Sequence, residues 1–287
     1  MPRDLHSRDY YSQKRCKKSS FAFYLAVREL LPVWLLEDMR RMEVFHWEES
    51  GRVSAYSASE ALLYALVHDH RPYGAHLLTA DPRAALAAPG DSFGCCRASA
   101  PHLAMAVRYN RVAILRGILH TLRGFPAGER RRYLNRTGCA RVEGGKTPVH
   151  VACELGRAEC LALLLAHGSA PDIADSHGNT PLDTLLCRLS HSPPHSNSPQ
   201  VCLDNLLLFT PVLRFRLQPV LRAEVTPWRV LLGDRTFDWL TGRTPPPLSV
   251  TAMQTAIGCI SPEKLPEGLR ELPVPQRLQP LDTSLCT

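Results

Sequence analysis

The sequence predicts an all-α fold: a solenoid of stacked short helix pairs closed by helical caps. Three observations lead there. The stretch Gly145-Lys146-Thr147-Pro148-Val149-His150-Val151-Ala152 recurs 33 residues later as Gly178-Asn179-Thr180-Pro181-Leu182-Asp183-Thr184-Leu185, and a fixed period of this length is the mark of a repeat array. Each unit carries start and stop signals for two short helices. Finally, 287 residues that are 45% apolar and 21% charged have the balance of a folded chain with a sizeable core, as one elongated domain or two compact ones.

In order along the chain, residues 1–50 hold a basic tail and an N-terminal capping helix. Its apolar pattern is Phe21, Leu25, Leu30 and Leu31, broken by Pro32. Residues 51–210 hold the repeats: degenerate copies over 57–90 and 98–130, clear ones over 145–177 and 178–210. Matching alanines at 65, 106 and 152 are 41 and 46 residues apart, which places insertions near Ala84–Ser99 and Arg123–Gly144. In the clearest unit Thr147 caps a helix and Pro148 suits its first position. Gly156 makes the tight turn between helices, and Leu161, Leu164 and Leu165 form one apolar face. Gly168 ends the second helix, and Asp175-Ser176-His177, closed by Gly178, form the turn between repeats. The fourth repeat is interrupted by the Pro/Ser-rich run 192–199 before Leu203 and Leu206–Leu208 supply its second helix. Residues 211–244 read as a helical cap, with Thr226-Pro227-Trp228 as cap, first position and core anchor. Residues 245–287 follow a Pro-rich boundary.

From that start through Gly156, the leucine run, Gly168 and the closing turn, the unit resembles the ankyrin repeat family. The resemblance implies a protein-binding array whose turn tips and inner helices line a concave surface: Asp175, Ser176, His177 and Asn179 at the tip, and Val151, Glu154 and Leu155 on the first helix. A protein substrate would be read there, Glu154, Asp175, Ser176, His177 and Asn179 being the candidates. Each of these is also an ordinary solvated residue of such a surface.

The tail carries a second signal. Leu269, Leu272, Pro273, Val274, Pro275, Leu278 and Leu281 follow the spacing of the cullin-5 box of SOCS-box proteins, which they resemble. Upstream, Pro247-Leu248-Ser249-Val250-Thr251-Ala252-Met253-Gln254-Thr255-Ala256 is similar to an elongin-binding BC box, with Ala252 where that pattern has Cys. Leu248, Ala252 and Ala256 share one helix stripe, widened by Met253, Ile257 and Ile260. Such a stripe suits a partner's groove, and the Leu-Pro-Val-Pro segment is a preformed extended ligand. Repeats followed by these boxes resemble the ankyrin-and-SOCS-box family of ubiquitin-ligase substrate receptors. The resemblance implies elongin B/C and cullin 5, in preference to cullin 2, as partners, and an adaptor that is not itself an enzyme. The rival reading is a plain ankyrin scaffold. It requires Leu248, Met253 and Ile257 to be buried against residues 211–243, as a cap.

Other classes fit less well. The net charge is +7, and only five of the 34 basic residues are lysine. The charge is scattered apart from Lys14–Lys18 and Arg130–Arg132, so neither nucleic acid nor a membrane surface is expected as partner. The terminal basic run reads as a solvated tail or a localisation signal, in a chain expected in the cytoplasm and the nucleus. The N-terminus has no apolar h-region, and no apolar run approaches the ~20 residues of a membrane-spanning helix. The ten cysteines show no CxxC and read as reduced thiols, Cys153 and Cys160 as packing residues. Cys95-Cys96 reads as two free loop thiols or as a soft-metal or redox pair. Gly144-Gly145-Lys146-Thr147 resembles the end of a phosphate-binding loop, but Ala140 stands where that motif needs Gly. His68, His70 and His76 lie near Asp69 without ligand spacing, and Asp172 and Asp175 read as turn formers. No catalytic constellation, metal site or cofactor is expected.

Overall fold

The computed structural model describes residues 22–41, 47–49, 52–54, 56–89, 101–191, 197–260 and 268. Its packing divides the chain into two units, residues 1–97 and 98–287.

The first unit begins with helix α1, residues 22–28, and α2, Val33–Arg41, on either side of Pro32. The break falls where expected, but the buried face does not. Phe23, Ala26 and Val27 are buried, whereas Leu30 lies exposed in the turn with φ 55°. Strands β1, Trp47–Glu49, and β2, Arg52–Ser54, form an antiparallel ribbon with Glu48 opposite Val53. This ribbon is the one departure from the all-α expectation among the described residues. Helices α3, Ala58–His68, and α4, Arg71–Ala80, make the first repeat, and the short α5, Pro82–Ala85, packs on both. Ser57 and Glu60 close a reciprocal capping box on α3. The core is aromatic: Phe23 stacks on Tyr56 at 4.7 Å and meets Tyr64 and Tyr73 edge-on. Buried Glu37 accepts from Arg40 and from the Tyr73 hydroxyl at 2.9 Å. Of the three histidines near Asp69, His70 is engaged locally: its ring bonds Leu31 O and accepts from Tyr73 N.

The second unit holds α6, Pro101–Arg108, α7, Val112–Leu122, α8, Ala127–Leu134, α9, Pro148–Leu155, α10, Ala158–Ala166, α11, Pro181–His191, and α12, Asn197–Leu208. Helices α6, α9 and α11 pack in sequence as an inner row, and α10 packs between α7 and α12 as an outer row. Sandwiched in this way, α10 is buried on every side from Cys160 to Ala166. That is why its leucine run outgrows a single stripe.

One backbone device recurs between paired helices. Asp69, Asn110 and Gly156 all adopt left-handed conformation, with φ 56°, 55° and 64°. The next residue in each, His70, Arg111 and Arg157, donates its amide to Ala65, Ala106 and Ala152 at 2.9, 2.8 and 2.9 Å. Asp, Asn and Gly are the residues that enter this region at least cost. The closing alanines are the three matched in the sequence, and all are fully buried. The helix pairs α3–α4 and α6–α7 thus share the turn of α9–α10, and the same turn occurs at Leu30, where Leu31 N donates to Ala26 O at 3.1 Å.

A three-helix cap follows: α13, Gln218–Ala223, α14, Val225–Leu232, and α15, Asp234–Leu240. Trp228 is buried, as expected of an anchor, but Thr226 is not the cap residue. Helix α14 starts two residues earlier than expected, at Val225 rather than Pro227, with no side-chain cap. Arg229 pairs with Asp234 and Asp238 at 2.8 Å, and its guanidinium and that of Arg243 both lie 5.2 Å from the Phe237 ring. The last described helix is α16, Leu248–Cys259. No described helix is long and apolar enough to cross a membrane.

Candidate functional site

The inner row and its turns bound a groove of about 970 Å³. Its floor is ordered by a network that begins with Thr147. The Thr147 hydroxyl accepts from His150 N and meets the His150 ring at Nδ1, 2.8 Å away, while Thr147 N donates to the same Nδ1 at 3.1 Å. The other ring nitrogen, Nε2, therefore carries the proton and donates to Asn179 O at 3.1 Å, tying this repeat to the next. Burial holds the His150 pKa below its usual value, only partly offset by the bond to Asn179.

In the following repeat Asp183 does the equivalent work with opposite polarity. Its Oδ2 accepts from Thr180 N and Oγ1 at 2.8 and 2.9 Å, and its Oδ1 accepts from Leu217 N at 2.8 Å. The next segment thus offers an N–H where the repeat before it is offered a carbonyl.

The turns are joined in the same manner. Ser176 donates both its amide and its hydroxyl to Gly144 O, at 3.0 and 2.7 Å. Gly145 sits beneath with φ 65°, and a Cβ there would lie 3.1 Å from Ser176 N. Two requirements, a left-handed backbone and close approach, thus exclude other residues at this position. This accounts for Gly144-Gly145 without a phosphate.

Of the candidate substrate-reading residues, the structure brings Glu154, Asp175, His177 and Asn179 to the groove, together with Val151 and Leu155. Ser176 is not among the lining residues; it is consumed by Gly144. Asp175 is committed as well. Its side chain is 3% exposed and accepts the amides of His177 and Asn179 at 2.8 and 2.9 Å. Burial works against the anion, but these bonds outweigh it and keep the carboxyl below the ordinary range. Asp175 is a turn former; Glu154 is exposed but paired with Lys146 at 2.9 Å, and His177 presents the more open side chain.

Sequence reasoning missed Arg108, Arg141, Val142, Thr184, Cys187, Arg188 and His191, which also line the groove. The repeat offsets contain most of them. Thr184, Cys187 and Arg188 lie 33 residues after Val151, Glu154 and Leu155, and Arg108 lies 46 before Glu154. Cys153, Cys160 and Cys202 are buried, and burial pushes the latter two thiols up to about 12. They are packing groups.

The second candidate surface is α16. The expected stripe of Leu248, Ala252 and Ala256 widened by Met253, Ile257 and Ile260 is divided. Met253 is buried, and Ile257 and Ile260 pack with Phe209 on Ala162 and Ala166. Gln254 Nε2 donates to Leu207 O and Thr210 O, at 2.8 and 3.3 Å, covering carbonyls at the end of α12. Leu248 is 86% exposed, Ala252 is exposed, Ala256 is half-buried, and Pro247 caps the helix from outside. The helix therefore packs on α12 and the outer row, and its first turn faces solvent. The cullin-box candidates Leu269, Leu272, Pro273, Val274, Pro275 and Leu278 lie outside the described residues, as do Lys14–Lys18, Cys95 and Cys96. Among the described residues no group of His, Cys, Asp and Glu is arranged to hold a metal.

The family model for ankyrin repeats (many copies) matches residues 139–185, which span the turn at Gly144, the first clear repeat and the start of the second. No solved structure matches this chain. The mouse protein named ankyrin repeat domain-containing protein 9 is 52% identical over 298 aligned residues, covering 94% of this chain and 91% of that protein. With near-complete coverage, a matching repeat model and three recurrences of one left-handed inter-helix turn, the chain belongs to the ankyrin-repeat protein family.

Proposed function

We propose that this chain is the substrate-recognition adaptor of a cullin-RING ubiquitin ligase. Its repeats hold a protein substrate in the groove, and its tail holds elongin B/C and cullin 5, so that ubiquitin is transferred to the substrate and the substrate is degraded. The chain supplies recognition and no chemistry, and it works in the cytoplasm and the nucleus. The observation that carries the reading is the division of α16. A helix whose later turns are seated on the array leaves Leu248, 86% exposed, at the head of a BC-box-like sequence. An isolated leucine this open contributes nothing to its own fold, but it suits an apolar pocket on a partner. The Leu-Pro-Val-Pro sequence downstream supports cullin 5 in the same order as in SOCS-box proteins.

Burial of Met253 and the Gln254 bonds favour a second reading, an ankyrin scaffold in which α16 only closes the array. Co-purification with elongin B/C and cullin 5 separates the two, using the full chain, the Leu248→Asp variant and a chain ending at Thr244. Capture by the wild type alone supports the adaptor, since the aspartate would enter an apolar pocket unpaired. Equal capture by wild type and Leu248→Asp refutes the BC-box assignment. Absence of capture by the folded full chain leaves the scaffold.

A further inference from the structure

The charges around the groove separate into committed and uncommitted ones. Every carboxylate in the lining already accepts a hydrogen bond from the protein. Glu143 accepts from Cys139 N at 3.1 Å, and Glu154 from Lys146 Nζ at 2.9 Å. Asp175 and Asp183 are saturated by the turn amides and by Thr180 and Leu217. Among the cations, Lys146 is spent on Glu154, and Arg188 donates to Glu154 O. Arg108, from the end of α6, and Arg141, from the turn before α9, are exposed and have no ion pair with any described residue. The lining carries as many acids as bases, but its acids are held by donors of the protein itself, and the groups left with open donors are the two exposed arginines. The same lining includes the small and apolar Ala104, Ala140 and Val142, the last 74% exposed.

We infer that the groove takes an extended acidic segment of a protein, with Arg108 and Arg141 pairing its carboxylates and Val142, next to Arg141, covering a small apolar side chain. This rests on the reading of the groove as the substrate seat and names the substrate's chemistry. Arginine is the cation suited to the task, because its planar fork meets a carboxylate through two parallel bonds. Single-stranded nucleic acid would use the same charge, but it needs aromatic platforms for its bases. The lining contains no Phe, Tyr or Trp.

The test is fluorescence anisotropy with the full chain and three short labelled peptides of alternating Ala and Glu, Ala and Gln, or Ala and Lys, beside a labelled oligouridine. The Glu peptide is expected to bind about tenfold or more tighter than the Gln peptide, with the preference weakening as salt shortens the screening length. In Arg108→Glu/Arg141→Glu the preference should pass to the Lys peptide. It should persist in Arg131→Glu/Arg235→Glu, which makes the same charge change on exposed arginines away from the groove. Equal binding of Glu and Gln peptides overturns the inference, as does no binding of the Glu peptide, tighter binding of the oligouridine, or an unchanged preference in Arg108→Glu/Arg141→Glu. The assay contains no ligase component. Its failure beside intact elongin capture removes the acidic preference alone, whereas lost capture beside a retained preference removes the ligase role and leaves an acid-binding scaffold.

Discussion

Replacing Asp183 with His would restore the Thr-Pro-Leu-His-like pattern of the family, and on that ground alone it should stabilise the chain. The structure argues the reverse. Asp183 is 2% exposed and accepts three hydrogen bonds, two from Thr180 and one from Leu217 N. A histidine in the geometry of His150 keeps the two Thr180 bonds on Nδ1. Its Nε2–H would then point at the Leu217 amide, donor against donor. The lost bond had an ionised acceptor, worth about 1.5–3 kcal/mol, and stranding the Leu217 amide adds part of another 1–3. Leu217 is only half-buried, so water recovers some of that second cost. A net loss of about 2–3 kcal/mol is expected. The reciprocal change, His150→Asp, sets a buried carboxylate against Asn179 O and should cost about 3 kcal/mol or more. Urea unfolding followed by far-ultraviolet circular dichroism measures both. An Asp183→His variant as stable as the wild type, or more so, would refute the polarity argument.

Two further outcomes follow from burial. Met253→Ala should lower stability by about 2–3 kcal/mol through the space it opens on the outer row, whereas Leu248→Asp, at an 86% exposed position, should stay within about 0.5 kcal/mol of wild type; equal losses in urea unfolding would mean the division of α16 is wrong. Burial depresses the His150 pKa, so as pH falls through the ordinary histidine value of 6.5 the unfolded chain takes up a proton first. Stability from this group is complete above 6.5 and is lost as pH drops toward the folded value. NMR titration of the His150 ring checks it directly, and a midpoint at or above 6.5 would contradict the assignment.

Local signals made much of the repeat architecture legible. Thr147, Pro148, Gly156, Gly168 and Gly178 act through their own backbone or the adjacent turn, and the structure finds each in the role its chemistry predicts. The matched alanines 65, 106 and 152 located the degenerate units for the same reason: each accepts a bond from five residues away in the chain. What failed was nearest to local ambiguity. Thr226 could cap from its own position or the helix could begin two residues sooner, and in α1 the buried face is that of Phe23, Ala26 and Val27, set by packing against the aromatic core and not by the leucines at 25 and 30.

The groove was legible only in outline. Periodicity says which positions face inward, and the 33- and 46-residue offsets contain Arg108, Thr184 and Cys187. It cannot say which charges remain available, because Asp175, Asp183 and Glu154 are satisfied by atoms 2 to 34 residues away. The same limit applied to α16. Its composition is apolar on more than one side, so the sequence alone made it a helix with an adhesive stripe. Contact with Phe209, Ala162 and Ala166 decided which part of that stripe the chain keeps for its own core and left Leu248 outside. Turns and caps are settled by neighbours in sequence; burial and spare charge depend on neighbours in space, which only the packed array supplies.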